Sequence, residues 1–225
     1  MESFNLRTPF EFKHPTTILI AGPTMSGKTH FLVNCLKENL FWPKPTRIIW
    51  VYGEWQGIYD EVKSIWPHTE FVTEMSRALY DSLRVDENNL VVVDDQMTEA
   101  GGSDELANMF TKGAHHRNVS VVFIVQNLFH QGKSMRTISL NSHYLIMFKN
   151  PRDMSQVRSL AIQMFPKNSS FLVNAYDDAT RKPHGYIIMD LHPKTPEALR
   201  VRSGVFQLDV PIVYSPREEY KKGSK

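Results

Sequence analysis

The run Gly22-Pro23-Thr24-Met25-Ser26-Gly27-Lys28-Thr29 has the spacing G-x-x-x-x-G-K-[ST]. Glycines at the two fixed positions let the backbone curl until successive amides and a helix N-terminus surround a phosphate group. In that arrangement Lys28 reaches the β- and γ-phosphates of a nucleoside triphosphate and the Thr29 hydroxyl ligates Mg²⁺. A second run, Leu90-Val91-Val92-Val93-Asp94-Asp95, is a buried β-branched strand ending in two carboxylates. Asp94 is predicted to join Thr29 on Mg²⁺, and Asp95 to act as the general base that deprotonates the attacking water. Capping of the following segment is the structural alternative for both.

A third run, Val121-Val122-Phe123-Ile124-Val125-Gln126-Asn127, ends in two amides one helix–strand unit further on. Gln126 can donate and accept together, as a group touching both a phosphate oxygen and a water must, although an amide can equally satisfy loop backbone. Before this strand stands His115-His116-Arg117-Asn118, where Arg117 is the candidate arginine finger for a neighbouring subunit's nucleotide, with Arg136 and Arg152 as competitors. Two adjacent histidines without a third ligand do not make a metal site. Tyr52-Gly53-Glu54-Trp55-Gln56 and Lys149-Asn150-Pro151-Arg152-Asp153 follow two further strands. The first is read as a ligand- or subunit-facing edge or a packed tryptophan, the second as a phosphate-backbone contact or a turn in which Asp153 caps the next helix.

Short apolar runs alternate with helical segments along the chain, which predicts an α/β fold with a parallel sheet flanked by helices; the P-loop makes it a P-loop NTPase, and the resemblance given below implies the RecA-like (ASCE) type. Strands are expected at Thr17 to Ala21, Arg47 to Tyr52, Leu90 to Asp94, Val119 to Val125, Tyr144 to Phe148 and Gly185 to Leu191. Helices are expected at Lys28 to Leu40, Trp55 to Ile65, Ser103 to Gly113, Asp153 to Met164 and Ser169 to Ala179. Residues 1–199 are read as the P-loop domain, and 200–225 as a C-terminal segment with a strand-like part, Val205 to Val213, and a polar tail.

Composition sets wider bounds. The 225 residues, 41% hydrophobic and 22% charged, are enough for one substantial core. A net charge of +2 does not by itself announce a nucleic-acid binder. The single cysteine, Cys35, excludes an internal disulfide or a multi-cysteine zinc site and is read as a core residue. No stretch approaches the roughly 20 apolar residues of a membrane span, so a soluble, intracellular protein without a membrane partner is expected.

The P-loop, Val93-Asp94-Asp95-Gln96, the strand ending in Gln126-Asn127 and Phe148-Lys149-Asn150-Pro151-Arg152-Asp153 together resemble viral genome-packaging ATPases of the FtsK/HerA superfamily, most of all the poxvirus-type and Polinton- or adintovirus-like ones. The resemblance spans about Thr16 to Met164, and Gln126 narrows it most. It implies ATP and Mg²⁺ as ligands, a homo-oligomeric ring at a capsid vertex, capsid or portal proteins as partners, and double-stranded DNA as cargo. The location it implies is the host cell, and the virion as well. It also assigns phosphate contact to Lys28, Mg²⁺ to Thr29 and Asp94, water activation to Asp95 and sensing to Gln126. Asp95 departs from the glutamate common in that superfamily. A helicase-like or other DNA-remodelling ATPase, and a P-loop nucleotide kinase, remain open on the residues alone.

Overall fold

The computed structural model describes residues 10–94, 108–113, 117–128 and 133–216. In chain order these form β1 (Phe12–Lys13), β2 (Thr17–Ala21), α1 (Lys28–Lys37), β3 (Phe41–Trp42), β4 (Arg47–Tyr52), α2 (Ile58–Ile65), β5 (Glu70–Val72), α3 (Arg77–Asp81), β6 (Asn89–Asp94) and β7 (Val119–Val125). There follow α4 (Lys133–Leu140), β8 (Tyr144–Phe148), α5 (Ser155–Met164), α6 (Ser169–Ala179), β9 (Tyr186–Asp190), β10 (Val201–Ser203) and β11 (Ile212–Tyr214). A π-helical turn at Met109–Gly113 precedes β7.

Among the described residues the main sheet has nine strands in the order β11-β10-β9-β8-β2-β7-β6-β4-β5. Strands β8, β2, β7, β6, β4 and β5 are mutually parallel, and β9 to β11 extend the sheet antiparallel to their neighbours. The central position of β2 explains its composition. All five of its residues are buried, and side chains alternate between the two faces. Leu19 and Ala21 join one core with Val157 and Leu160 of α5 and Leu172 and Tyr176 of α6. Ile18 and Ile20 join the other, with Phe31, Leu32 and Leu36 of α1 and Tyr59 and Val62 of α2. A strand covered on both faces must read as a continuous apolar run, and Thr-Ile-Leu-Ile-Ala does.

Strands β2, β4, β7 and β8 and helix α6 have the bounds the sequence pattern predicts, while β6 differs by one residue at its start and β9 by one residue at each end. Helix α5 begins at Ser155 rather than Asp153, whose carboxylate accepts the Ser155 N–H, and three further expectations need correction. Helix α1 stops at Lys37 rather than Leu40, because Asn39 takes a left-handed backbone (φ 57°) and the Leu40 N–H closes onto the Cys35 carbonyl at 2.8 Å. Helix α2 begins at Ile58 after Gly57, which leaves Trp55 ahead of it among Tyr52, Tyr59 and Phe71. Most of the strand expected over Val205 to Val213 is instead an excursion between β10 and β11, and only Ile212 and Val213 of it are in a strand. Gly204 (φ 67°) starts that excursion where a side chain would lie 2.2 Å from the Val210 carbonyl oxygen, and the Asp209 N–H closes a turn onto the Phe206 carbonyl. The helix expected over Ser103 to Gly113 falls mostly outside the described residues. Cys35 is fully buried, and burial pushes its thiol pKa up, as befits a core residue.

Replacing Leu19, which is wholly buried at the centre of the sheet, by alanine is expected to lower unfolding stability by about 2–5 kcal/mol. Leu208→Ala, at a side chain 97% exposed, should change it by less than about 0.5 kcal/mol. Urea denaturation followed by circular dichroism reads both, and equal stability of the two variants would contradict this assignment of the core.

Candidate functional site

Parallel pairing makes the strand ends level. Ala21 of β2 is in register with Val125 of β7 and Met147 of β8, and Asp94 of β6 is in register with Ile124. The P-loop, the end of β6 and Gln126 therefore leave one edge of the sheet together. The Gly22 N–H binds the Val125 carbonyl at 3.2 Å and ties the first P-loop residue to the strand that ends in Gln126. Gln126 and Asn127 are both exposed at that edge.

The loop is built around positions that bar a side chain. A Cβ on Gly22 would lie 2.7 Å from Phe148 Cβ and 2.8 Å from Ser26 Oγ. Met25 (φ 64°) and Gly27 (φ 101°) are both left-handed, and Met25 stands exposed at the tip between Thr24 and Ser26. Gly27 is the N-cap of α1 and supplies no side-chain cap, so the positive end of the helix is directed at the loop. Lys28 Nζ reaches back to the carbonyls of Gly22 (2.8 Å) and Pro23 (3.0 Å), which holds the ammonium across the mouth of the loop. Ser26 Oγ is buried without a hydrogen-bond partner among the described residues. A hydroxyl in that state suits a loop whose ligand brings its own acceptor oxygens, and the residues present fit a polyphosphate.

Strand β6 is separated from β2 by β7, yet the Thr29 hydroxyl reaches across and donates to Asp94 Oδ2 at 3.1 Å. The Tyr59 hydroxyl donates to the same oxygen at 2.9 Å. Asp94 is only 2% exposed, and burying a carboxylate is tolerable where donors converge on it. A hydroxyl beside a carboxylate, with further positions left to phosphate oxygens and water, is the donor set Mg²⁺ favours. Thr29 and Asp94 would hold the ion, with Tyr59 setting the carboxylate's orientation from behind. The sequence reading missed Tyr59, since nothing local marks a tyrosine in α2 as a partner of Asp94.

Gln156 of α5 was also missed. Its Oε1 accepts from the Leu128 N–H at 2.7 Å, and its Nε2 donates to Asn127 Oδ1 (3.3 Å) and Asp153 Oδ2 (2.7 Å). This side chain fixes the loop that carries Gln126 and Asn127 out of β7. Asp153 also accepts from the Ser155 N–H and hydroxyl, so the turn reading of 149–153 holds. Those bonds keep its carboxyl below the usual carboxylate range. Trp55 packs against Tyr59 and Phe71 with the Lys63 ammonium 4.3 Å from its ring centre.

Asp95, His115 and His116 lie outside the described residues. Arg117 lies at the opposite edge of the sheet from the P-loop, just before β7 begins. Its guanidinium pairs with the Asp81 carboxylate (3.2 Å) and stacks on the Tyr80 ring at 5.1 Å. It cannot meet the nucleotide of its own chain, so any catalytic contact it makes is to a neighbour's.

The strand order β8-β2-β7-β6-β4, with a P-loop after β2 and an acidic strand end one strand removed, defines a RecA-like P-loop NTPase fold. No protein-family model and no curated protein matches the sequence. Solved structures of similar fold are the genome packaging NTPase B204 from Sulfolobus turreted icosahedral virus 2 in complex with ATP-gammaS (14% identity, 90% of this chain and 98% of that chain, TM-score 0.54) and in complex with sulfate (12%, 90% and 97%, 0.56). A third is B204, the DNA-packaging ATPase from Sulfolobus turreted icosahedral virus (12%, 91% and 99%, 0.54). At these identities the likeness establishes the fold along nearly the whole chain. The structural neighbours are of the viral packaging kind that the motifs resemble, and they do not single out a poxvirus-type or Polinton-like branch. Among the described residues no helix is long and apolar enough to cross a membrane.

Tyr59→Phe keeps the ring in its core and removes one of the two hydroxyls that donate to Asp94 Oδ2 among the described residues. It is expected to raise the Mg²⁺ concentration needed for half-maximal nucleotide binding by about tenfold without loss of fold. Calorimetric titration with an ATP analogue at graded Mg²⁺ measures this, and an unchanged Mg²⁺ requirement would reduce Tyr59 to packing.

Proposed function

We propose that this chain is an ATP-hydrolysing motor that drives double-stranded viral DNA into a capsid, working as a homo-oligomeric ring. The observation that carries the reading is the Thr29–Asp94 hydrogen bond spanning β7, because it joins the P-loop to the acidic strand end across the strand that leads to Gln126. The motif resemblance and the fold shared with viral genome packaging NTPases along nearly the whole chain support the choice of cargo.

In this reading Gly22 to Thr29 (Gly22, Pro23, Thr24, Met25, Ser26, Gly27, Lys28 and Thr29) wrap the phosphates, and Lys28 exchanges its loop carbonyls for β- and γ-phosphate oxygens. Thr29 and Asp94 would hold Mg²⁺, which would supply charge neutralisation on those oxygens. Gln126, at the end of the strand between the two motifs, contacts the γ-phosphate and orients the attacking water, from which Asp95 takes a proton. Chemistry of this kind is mainly positioning and charge stabilisation, which accounts for so many groups converging on one sheet edge. Arg117 acts on the neighbouring subunit's nucleotide, so a site is complete only between subunits. The hydrolytic unit is residues 1–199, with 200–225 as an appended segment. Capsid or portal proteins would bind the assembled ring inside the infected host cell.

Steady-state ATP hydrolysis is expected to rise with double-stranded DNA and to depend cooperatively on protein concentration, with the stimulation fading as salt rises. Lys28→Ala should lose turnover by about a hundredfold or more, and Asp95→Asn and Arg117→Ala should lose it while retaining nucleotide binding. Turnover that ignores both DNA and protein concentration would sink the motor. Phosphoryl transfer to a nucleoside monophosphate would replace it with a kinase, and unwinding of duplex DNA with a helicase.

A further inference from the structure

The connection from α6 to β9 returns to the P-loop edge, because β9 runs antiparallel to β8 and Tyr186 at its start pairs with Phe148 at the end of β8. Within it, Lys182-Pro183-His184-Gly185 forms a turn closed by the Gly185 N–H on the Lys182 carbonyl at 3.0 Å. Proline at the second position and a left-handed third position are the pattern of a type II turn. The third position favours glycine, yet His184 occupies it with φ 57°. A side chain in that conformation costs about 1–2 kcal/mol. The turn is anchored, since a Cβ on Gly185 would lie 2.5 Å from the Ala179 carbonyl oxygen at the end of α6.

The imidazole so placed lies on the P-loop. Nδ1 donates to the Ser26 carbonyl at 3.1 Å, and a Cβ on Gly27 would lie 3.2 Å from that same nitrogen. The Ser26 carbonyl and the Gly27 N–H belong to one planar trans peptide and point in opposite directions. A carbonyl held by His184 therefore turns the Gly27 N–H away from His184. Glycine tolerates either sign of φ, so the Ser26–Gly27 peptide is the one in the loop most able to flip, and a flipped peptide would present a carbonyl oxygen to an anion.

The geometry points to His184 as a positioning residue that locks the Ser26–Gly27 peptide in the orientation that binds phosphate. This rests on the reading of Gly22 to Thr29 as a polyphosphate site, and it explains why a strained histidine stands where glycine would be cheaper. The residue acts through the loop backbone on the phosphate side of the ligand, not on the base.

The test is calorimetric binding of tripolyphosphate and of ATP-gammaS, with thermal melting, for wild type, His184→Gly and His184→Asn. His184→Gly relieves the turn, so it should melt at or above the wild-type temperature. It should also bind both ligands about 3- to 10-fold more weakly, by the same factor, for loss of one hydrogen bond. His184→Asn, which tolerates the left-handed backbone and keeps a donor, should recover part of that loss. Unchanged affinity in His184→Gly, a loss confined to ATP-gammaS, or a loss accompanied by a lower melting temperature would each overturn the proposal. Neither hydrolysis nor DNA enters the measurement, so a wild type that binds tripolyphosphate but shows no DNA-stimulated turnover would fail the motor reading and leave this result standing.

Discussion

Parallel pairing of β2 with β7 is the constraint on which the site depends. It brings Ala21 level with Val125, and the Gly22 N–H bonds the carbonyl at the end of the partner strand. From that pairing the P-loop and Gln126 must emerge side by side. Because β6 pairs with the other edge of β7, Asp94 stands one strand away, within reach of a threonine in the first turn of α1. A one-residue slip in either pairing would turn every side chain of the strand to the opposite face, so burial on both faces guards the geometry.

Around that frame the protein spends its buried polar groups on orientation. Tyr59 is wholly buried in an aromatic cluster with Trp50 and Phe71, and its hydroxyl emerges at Asp94. Gln156 binds three partners at once and so fixes the exit of β7. Tyr176 works likewise at the end of β8, donating to the Phe148 carbonyl and accepting from the Asn150 N–H, while burial raises its pKa. Each of these side chains belongs to a helix packed on the sheet and reaches a strand end. Helix packing and site geometry are thus one problem, and rigid elements rather than free loops hold the chemistry.

The two edges of the sheet have different characters. At one, the P-loop, Asp94 and Gln126 gather. At the other, Arg117 is held by Asp81 and Tyr80, and Asn89 crosslinks β6 to the start of β7 through the carbonyls of Arg117 and Asn118. An arginine on the far edge is out of reach of its own chain's nucleotide, and in the proposed ring it would have to leave Asp81 and Tyr80 to serve a neighbour's.

The sequence by itself determined what is local. The P-loop spacing, the continuous apolar runs of β2, β6, β7 and β8, and the periodicity of α6 are encoded within a few residues of where they act, so strand bounds and the loop could be read directly. The end of α1 and the break in the segment after Gly204 were misjudged because a left-handed Asn39 and a turn at Phe206 to Asp209 override apolar patterning. Tertiary structure alone decided that Tyr59 would bond Asp94, that Gln156 would brace Asn127, that Arg117 would lie on the far edge, and that His184 would meet Ser26. Those contacts join residues from 29 to 158 positions apart, or depend on which strands are neighbours. Strand order is a property of the closed sheet, in which every strand's place is set by the pairing of all the others, and no local run of residues carries it.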